Sequence, residues 1–160
     1  MKYIILSLLL ILSLQGVAND STLLYNPKAN VKKDMAAVIR RAKMEKKHVL
    51  IQVGGNWCTW CLRFDRFIKS DSALLQLTKN NYVVYHLNDS PENSNFEYLK
   101  KLGFPQRLGY PVLVVLDAKG KRLHTQDSSL LEKADSYDTI KVREFLVNWA
   151  PSAFRESNFK

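Results

Sequence analysis

The chain has 160 residues, of which 46% are hydrophobic, and its formal net charge is +9 at pH 7. That length suits one domain with a hydrophobic core of its own. With two cysteines, six glycines and five prolines, the chain is neither a disulfide-dense miniprotein nor a collagen-like or disordered protein. A single long apolar run also excludes a multi-span membrane protein.

The first 18 residues have the pattern of a secretory signal peptide. Lys2 forms a short basic region, an apolar run covers Ile4–Leu14, and Gly16 and Ala18 are the small residues that a signal peptidase reads. The apolar run is shorter than the about 20 residues that a membrane span needs. We therefore predict a signal peptide over residues 1–18, cleaved after Ala18, and a periplasmic or secreted protein in which disulfides can persist.

Helix and strand patterns alternate after this segment. A polar lead-in over residues 19–33 contains Asn26-Pro27, which favours extended backbone. Hydrophobic residues at helical spacing and short β-rich runs then predict four elements. These are a helix capped by Asp34 and running to about Lys47, a strand His48–Val53, a helix from Cys58 to about Ser70, and a short helix 73–79 capped by Asp71 or Ser72.

The second half continues the alternation and ends in a hairpin and a helix. Its predicted elements are a strand Tyr82–Leu87, a loop 88–95, a short helix Phe96–Leu102, a strand Pro111–Leu116, a turn Asp117–Gly120 into a strand Lys121–Thr125, and a helix Thr139–Trp149 capped by Asp138. This order predicts an α/β fold with a central mixed sheet flanked by helices. The domain should cover residues 34–150, followed by a C-terminal tail over 151–160.

Both cysteines lie in one short motif, Trp57-Cys58-Thr59-Trp60-Cys61, at a predicted strand-to-helix junction. Two intervening residues let the sulfurs meet across the first helical turn, where unpaired N–H groups and the helix dipole stabilise a thiolate. The first cysteine is then the exposed nucleophile, and the second lies one turn deeper and resolves the mixed disulfide. The spacing and its place after an apolar strand favour redox chemistry.

Other uses of the cysteine pair fit less well. Zinc commonly takes four ligands, and the three histidines, His48, His86 and His124, are scattered along the chain. Haem attachment needs a histidine directly after the second cysteine, where Leu62 stands. A purely structural bridge would close a very short loop, which gains little stability. We therefore expect a redox pair with no metal and no cofactor, and a structural bridge is the plainer alternative.

On this motif, the chain resembles thioredoxin-fold proteins, and most closely the secreted thioredoxin-like group that carries W-C-x-x-C. A second matching feature is Gly109-Tyr110-Pro111 at the start of an apolar strand, before the hairpin turn. The resemblance covers about Asp34 to Trp149 and implies a thioredoxin fold. It further implies that the Tyr110–Pro111 bond is cis and that Pro111 faces the redox pair.

The same resemblance implies a role for each matching residue. In its terms Cys58 attacks, Cys61 resolves, Pro111 binds substrate, and Tyr110 contacts the backbone of the partner. Trp57 would line the groove, and simple packing against the first helical turn is an equal alternative for it.

Two departures from the family pattern bear on the chemistry. The commonest thioredoxin pair encloses Gly-Pro, whereas this pair encloses Thr59-Trp60, so the redox potential cannot be carried over. Many thioredoxins bury an acidic residue six positions before the first cysteine, and Gln52 stands there. His86, on the next strand, could approach Gln52 and Cys61 and act as a base. A packed histidine without a catalytic role is the alternative.

Positive charge is concentrated ahead of the redox motif, in a run of lysines and arginines between residues 28 and 47. Such a run can attract acidic partners or an anionic membrane surface, and a solvated helix face in a basic exported protein explains it as well. No aromatic residues interleave with the basic ones, so nucleic-acid binding is not expected.

Taken together, these features predict an exported thiol–disulfide oxidoreductase acting through Cys58 and Cys61. We expect it to reduce the disulfides of its partners rather than to oxidise their thiols. Its expected partners are protein thiols and disulfides together with an upstream redox partner, and the protein is expected to be a monomer. Two alternatives stay open. One is a non-catalytic peptide-binding module with the same fold, and the other is a Cu(I) metallochaperone.

Overall fold

A computed structural model describes residues 23–160. The predicted signal peptide over residues 1–18 and its cleavage site after Ala18 lie outside this range. Within the range, none of the helices combines the length and the apolar character that a membrane crossing requires.

The described chain alternates helices and strands around one mixed sheet. The strands run in the order β2-β1-β3-β4, with β1 and β2 parallel and the other neighbours antiparallel. The elements are α1 (Val31–Glu45), β1 (His48–Gly54), α2 (Thr59–Ser70), α3 (Ser72–Asn81), β2 (Tyr82–Asn88), α4 (Phe96–Lys101), β3 (Val112–Leu116), β4 (Arg122–Asp127), β5 (Glu132–Lys133), β6 (Ser136–Tyr137) and α5 (Thr139–Asn148). The predicted α/β class with a mixed sheet flanked by helices is confirmed.

Hydrophobic cores lie on both faces of the sheet. Every residue of β1 is buried, and alternate side chains point to opposite faces. Ile51 packs with Met35 of α1 and Val114 of β3 on one face. Leu50 packs with Phe64 of α2 on the other face. The face that carries Leu50 also carries Gln52, and it therefore lies beneath the helix that bears the cysteine motif.

The first helix begins earlier than predicted. Asn30, not Asp34, is its N-cap, because the Asn30 side chain accepts a hydrogen bond from the backbone N–H of Lys33 at 3.0 Å. Asp34 lies in the first turn, and its carboxylate accepts a hydrogen bond from the Tyr85 hydroxyl at 3.1 Å. The helix ends at Glu45, two residues short of the predicted end, since Lys46 adopts left-handed backbone with φ 55°.

The later boundaries agree with the predictions to within about two residues. Asp71 caps α3 and Asp138 caps α5, each by accepting backbone N–H groups. Gly120 closes the turn between β3 and β4 with φ +84°, a backbone conformation that favours glycine. The small hairpin of β5 and β6 was not predicted, because strands of two residues carry no periodic pattern.

Candidate functional site

The cysteine pair lies at the start of α2. The structure joins Cys58 and Cys61 in a disulfide. Cys58 is the N-cap of the helix, and its sulfur accepts a hydrogen bond from the Cys61 backbone N–H at 3.1 Å. Cys58 is 5% exposed and Cys61 is fully buried. An N–H group aimed at the first sulfur is the arrangement that stabilises a thiolate there.

Beside the disulfide, two packed aromatic side chains form a small wall. The Trp57 and Tyr110 rings lie edge to face, with centroids 5.1 Å apart. Trp57 is 56% exposed, and Tyr110 packs against the buried cysteine cluster. The Tyr110–Pro111 peptide bond is cis, the isomer that the resemblance implies. The structure therefore brings Trp57, Tyr110 and the disulfide together. Pro111 follows Tyr110 in the chain and is buried.

Asp89 holds this aromatic pair, and sequence reasoning missed it. Its backbone carbonyl accepts a hydrogen bond from Trp57 Nε1 at 3.0 Å, and its carboxylate accepts one from the Tyr110 hydroxyl at 2.6 Å. Burial raises the pKa of Tyr110, and the hydrogen bond to Asp89 adds to the rise. Asp89 is itself fixed because its N–H donates to the Gly54 carbonyl at 2.6 Å. The polar loop composition gave no signal that would single out this position.

Gln52 lies under the cysteine helix and hydrogen-bonds to a backbone carbonyl of that helix and to a tyrosine hydroxyl. Its Nε2 donates to the Cys61 carbonyl at 2.9 Å and to the Tyr25 hydroxyl at 2.8 Å. The amide thus joins the sheet, the first turn of α2 and the segment before α1 in one hydrogen-bonded unit.

The structure places His86 beside Gln52, its paired residue on β2. Asp65 of α2 lies 3.7 Å from His86 Nε2, and the Tyr25 ring meets the imidazole edge-on at 5.4 Å. Burial lowers the pKa of His86, Lys69 lowers it further, and Asp65 opposes both. His86, Gln52 and Asp65 also line a cavity of about 520 Å³ between α2, α3 and β2.

Tyr25 is the second residue that sequence reasoning missed, because it falls in the predicted extended lead-in. Its side chain is fully buried and forms one cluster with Cys58 and Cys61. Asn56 holds its backbone in place, accepting from the Tyr25 N–H at 3.1 Å and donating to the Tyr25 carbonyl at 2.7 Å. Leu23, Leu24 and Tyr25 are three consecutive apolar residues in an otherwise polar lead-in, and so short a run shows no helical or strand periodicity.

As for metals, residues 23–160 contain no group of three or more histidine, cysteine, aspartate or glutamate side chains that could hold an ion.

Comparison with known proteins decides the family. Residues 30–118 match the family model described as thioredoxin-like, which is more than half of the chain. This chain belongs to the thioredoxin-like family. No curated protein matches it significantly in sequence.

Likeness to a solved structure supports the thioredoxin fold. A disulphide isomerase from Xylella fastidiosa Temecula1 is 23% identical, with 80% of this chain and 97% of that chain covered and a TM-score of 0.70. The C-terminal domain of Neisseria meningitidis DsbD in the oxidised form is 19% identical, with 61% of this chain and 83% of that chain covered and a TM-score of 0.45. At this identity the likeness concerns the fold of this thioredoxin-like protein and not its substrate.

Burial of His86 predicts a pH dependence of stability. Because its pKa is lower in the folded state, the unfolded state binds more protons at mildly acidic pH. This contribution to stability is therefore fully present above the unfolded pKa of about 6.5 and is lost as the pH falls below it. The slope cannot exceed about 1.4 kcal/mol per pH unit for one proton.

Urea unfolding of the wild type and of His86→Gln between pH 7.5 and pH 5 measures this slope. We expect a shallower pH dependence in His86→Gln. The control His124→Gln alters a histidine that stacks on Trp149 at 4.2 Å, outside the site, and should keep the wild-type slope. Equal slopes in the wild type and His86→Gln would contradict the prediction.

Proposed function

We propose that this protein is a thiol–disulfide oxidoreductase that exchanges disulfides with protein partners through Cys58 and Cys61. The observation that carries the proposal is the disulfide at the N-terminus of α2, in which Cys58 is the more exposed cysteine and its sulfur accepts a hydrogen bond from the Cys61 N–H at 3.1 Å. The thioredoxin-like family match supports the same conclusion.

In the reducing direction, the Cys58 thiolate attacks one sulfur of a partner disulfide. A bond forms between Cys58 and that sulfur, and the partner's other sulfur leaves with the electron pair. Cys61 then attacks Cys58, which closes the Cys58–Cys61 bond and releases the first partner sulfur as a second thiolate. The proton that Cys61 gives up reaches solvent by way of His86 and water, and the partner takes up two protons overall. An upstream thiol partner must supply two electrons to reset the pair.

Substrate binding is assigned to Trp57, Tyr110 and Pro111. Trp57 offers an exposed aromatic face beside Cys58, and Asp89 fixes its orientation and that of Tyr110 through the two hydrogen bonds described above. Rigid aromatic residues give large contact area at low cost in conformational entropy. An extended partner segment would lie along this wall with its sulfur at Cys58.

Proton transfer to and from Cys61 is assigned to Gln52 and His86, acting with water. Gln52 cannot take a proton, so its part is to position Cys61 through the carbonyl that it contacts. Burial keeps His86 neutral near pH 7 because it lowers the pKa, and a neutral imidazole can accept a proton. The cavity that both residues line gives water a route to this side of α2.

The reducing direction and the location are further parts of the proposal. The signal-peptide pattern over residues 1–18 supports a periplasmic or secreted protein. Small exported thioredoxin-like proteins often supply reductant, and the resemblance favours that direction. We propose a monomer that works with protein substrates and one upstream redox partner. We assign no partner to the basic residues of α1, which form a solvated helix face in this proposal.

The reduction potential of the Cys58–Cys61 pair, measured against glutathione buffers, tests this function together with its direction. A potential near −270 mV would match a thioredoxin-like reductant, and one near −120 mV would match a strong oxidant. We expect a value toward the reducing end and steady turnover of a protein disulfide. A pair that glutathione buffers cannot cycle would contradict the oxidoreductase and favour the peptide-binding module.

A further inference from the structure

The segment that precedes α1 places a phenol hydroxyl next to the buried cysteine. Tyr25 is fully buried and packs with both cysteines. Its hydroxyl and the Cys61 sulfur lie around the same point, since a Cβ on Gly54 would collide with Cys61 Sγ and lie 3.0 Å from Tyr25 Oη. The hydroxyl therefore lies close to the Cys61 sulfur, which the disulfide bond now holds.

The hydrogen of this hydroxyl is available for a new bond. Tyr25 Oη accepts a hydrogen bond from Gln52 Nε2 at 2.8 Å, and within residues 23–160 the hydroxyl makes no hydrogen bond as a donor. Burial raises the pKa of Tyr25 well above its usual range, so the phenol stays protonated. A protonated donor next to a buried sulfur can stabilise an anion there strongly.

We propose that Tyr25 donates this hydrogen bond to the Cys61 sulfur once the disulfide opens, and that it thereby stabilises the Cys61 thiolate that closes the catalytic cycle. The inference deepens the proposed function and rests on it. Gln52 then has the part of a positioning residue, because its amide holds the phenol oxygen while the hydroxyl hydrogen turns toward sulfur.

The step in question is the second half of the exchange. In the mixed disulfide, the Cys61 thiol loses its proton to solvent and its sulfur attacks Cys58. The bond between Cys58 and the partner sulfur breaks, the new Cys58–Cys61 disulfide forms, and the released partner thiolate takes up a proton. Tyr25 gains and loses no proton in this step. It lowers the barrier by favouring the anionic form of the attacking sulfur.

A small aromatic disulfide whose released thiol is coloured separates the two halves of the exchange. Attack by Cys58 on this reagent releases the first coloured thiol, and intramolecular attack by Cys61 releases the second. We expect Tyr25→Phe to slow the second release about tenfold, the usual size for losing a hydrogen bond to a charged group. The pH profile of the second release should also move to higher pH, and the first release should be unchanged.

Tyr82→Phe is the matched control. Tyr82 is also a buried tyrosine, at 3% exposure, and its hydroxyl donates to the Leu146 carbonyl at 2.7 Å, away from the cysteines. It should leave both releases at the wild-type rate. An unchanged second release in Tyr25→Phe, or the same slowing in Tyr82→Phe, would overturn the inference.

Asn56→Ala provides a second route to the answer if Tyr25→Phe does not fold. It keeps the phenol and removes the two hydrogen bonds that hold the Tyr25 backbone. We expect the second release to slow selectively, and an unchanged second release would count against Tyr25. Failure of the proposed function itself looks different, because the reduced wild type would then still react with the reagent but would not turn over a protein disulfide in the presence of a reductant.

Discussion

Cys58→Ser should abolish thiol–disulfide exchange, with a loss of more than about a thousandfold in rate, because a serine hydroxyl does not act as a nucleophile toward disulfides near neutral pH. The fold should survive the change. Cys58 is the N-cap of α2, and serine is among the best N-cap residues. Turnover of a protein disulfide measures the first expectation, and the circular dichroism spectrum of the whole protein measures the second.

Cys61→Ser is the informative partner of this variant. It keeps the attacking sulfur and removes the resolving one, so it should perform the first step and then stop. A mixed disulfide between Cys58 and the substrate should accumulate and survive non-reducing electrophoresis. The assignment of the attacking and resolving cysteines would be wrong if Cys58→Ser retained exchange. It would also be wrong if Cys58→Ser formed a stable mixed disulfide on Cys61.

Gly54→Ala should be the most damaging small substitution near the site. A Cβ at this position would collide with Cys61 Sγ, and both the sulfur and the strand that carries Gly54 are buried. Overpacking of a rigid interior typically costs about 1–3 kcal/mol. We expect a loss of stability in this range for the oxidised protein, measured as a lower midpoint of urea unfolding.

Gly55→Ala is the control for this effect. A Cβ there would also meet a neighbour, but the neighbour is the indole of Trp57, a side chain that is 56% exposed and can move outward with the loss of one hydrogen bond, to the Asp89 carbonyl. We expect Gly55→Ala to keep most of the wild-type stability. Equal losses in the two variants would argue against the buried sulfur as the cause.

The cysteine helix and its strand could be read from the sequence because their signals are local. An apolar run followed by Gly54-Gly55 fixes where β1 ends, and the C-x-x-C spacing then starts a helix at Cys58. Gln52 stands out in the sequence only through the resemblance, because many thioredoxins carry an acidic residue at its position. Its actual contacts, with the Cys61 carbonyl and the Tyr25 hydroxyl, depend on how α2 packs over the sheet and carry no local signal.

Tyr25 and Asp89 could not be predicted for the same reason. Tyr25 reaches the site across 31 positions of sequence through Asn56, and Asp89 orients Trp57 from 32 positions away. Such contacts follow from tertiary packing, whereas periodicity along the sequence reports only on single helices and strands. The predicted start of α1 was wrong by one turn. Asn30 and Asp34 are both good capping residues, and only the observed backbone distinguishes them.

If the site exchanges disulfides as proposed, the low exposure of its two cysteines restricts which partner disulfides can reach it. With Cys58 at 5% exposure and Cys61 at none, an incoming sulfur must protrude from its own protein to come into bonding distance. A disulfide held in the interior of a stably folded partner cannot do so, whereas one on a terminus, a loop or an unfolded chain can. Substrate choice would then follow the local unfolding of the partner more than its sequence, so the protein would act first on disulfides in chains that have not completed folding.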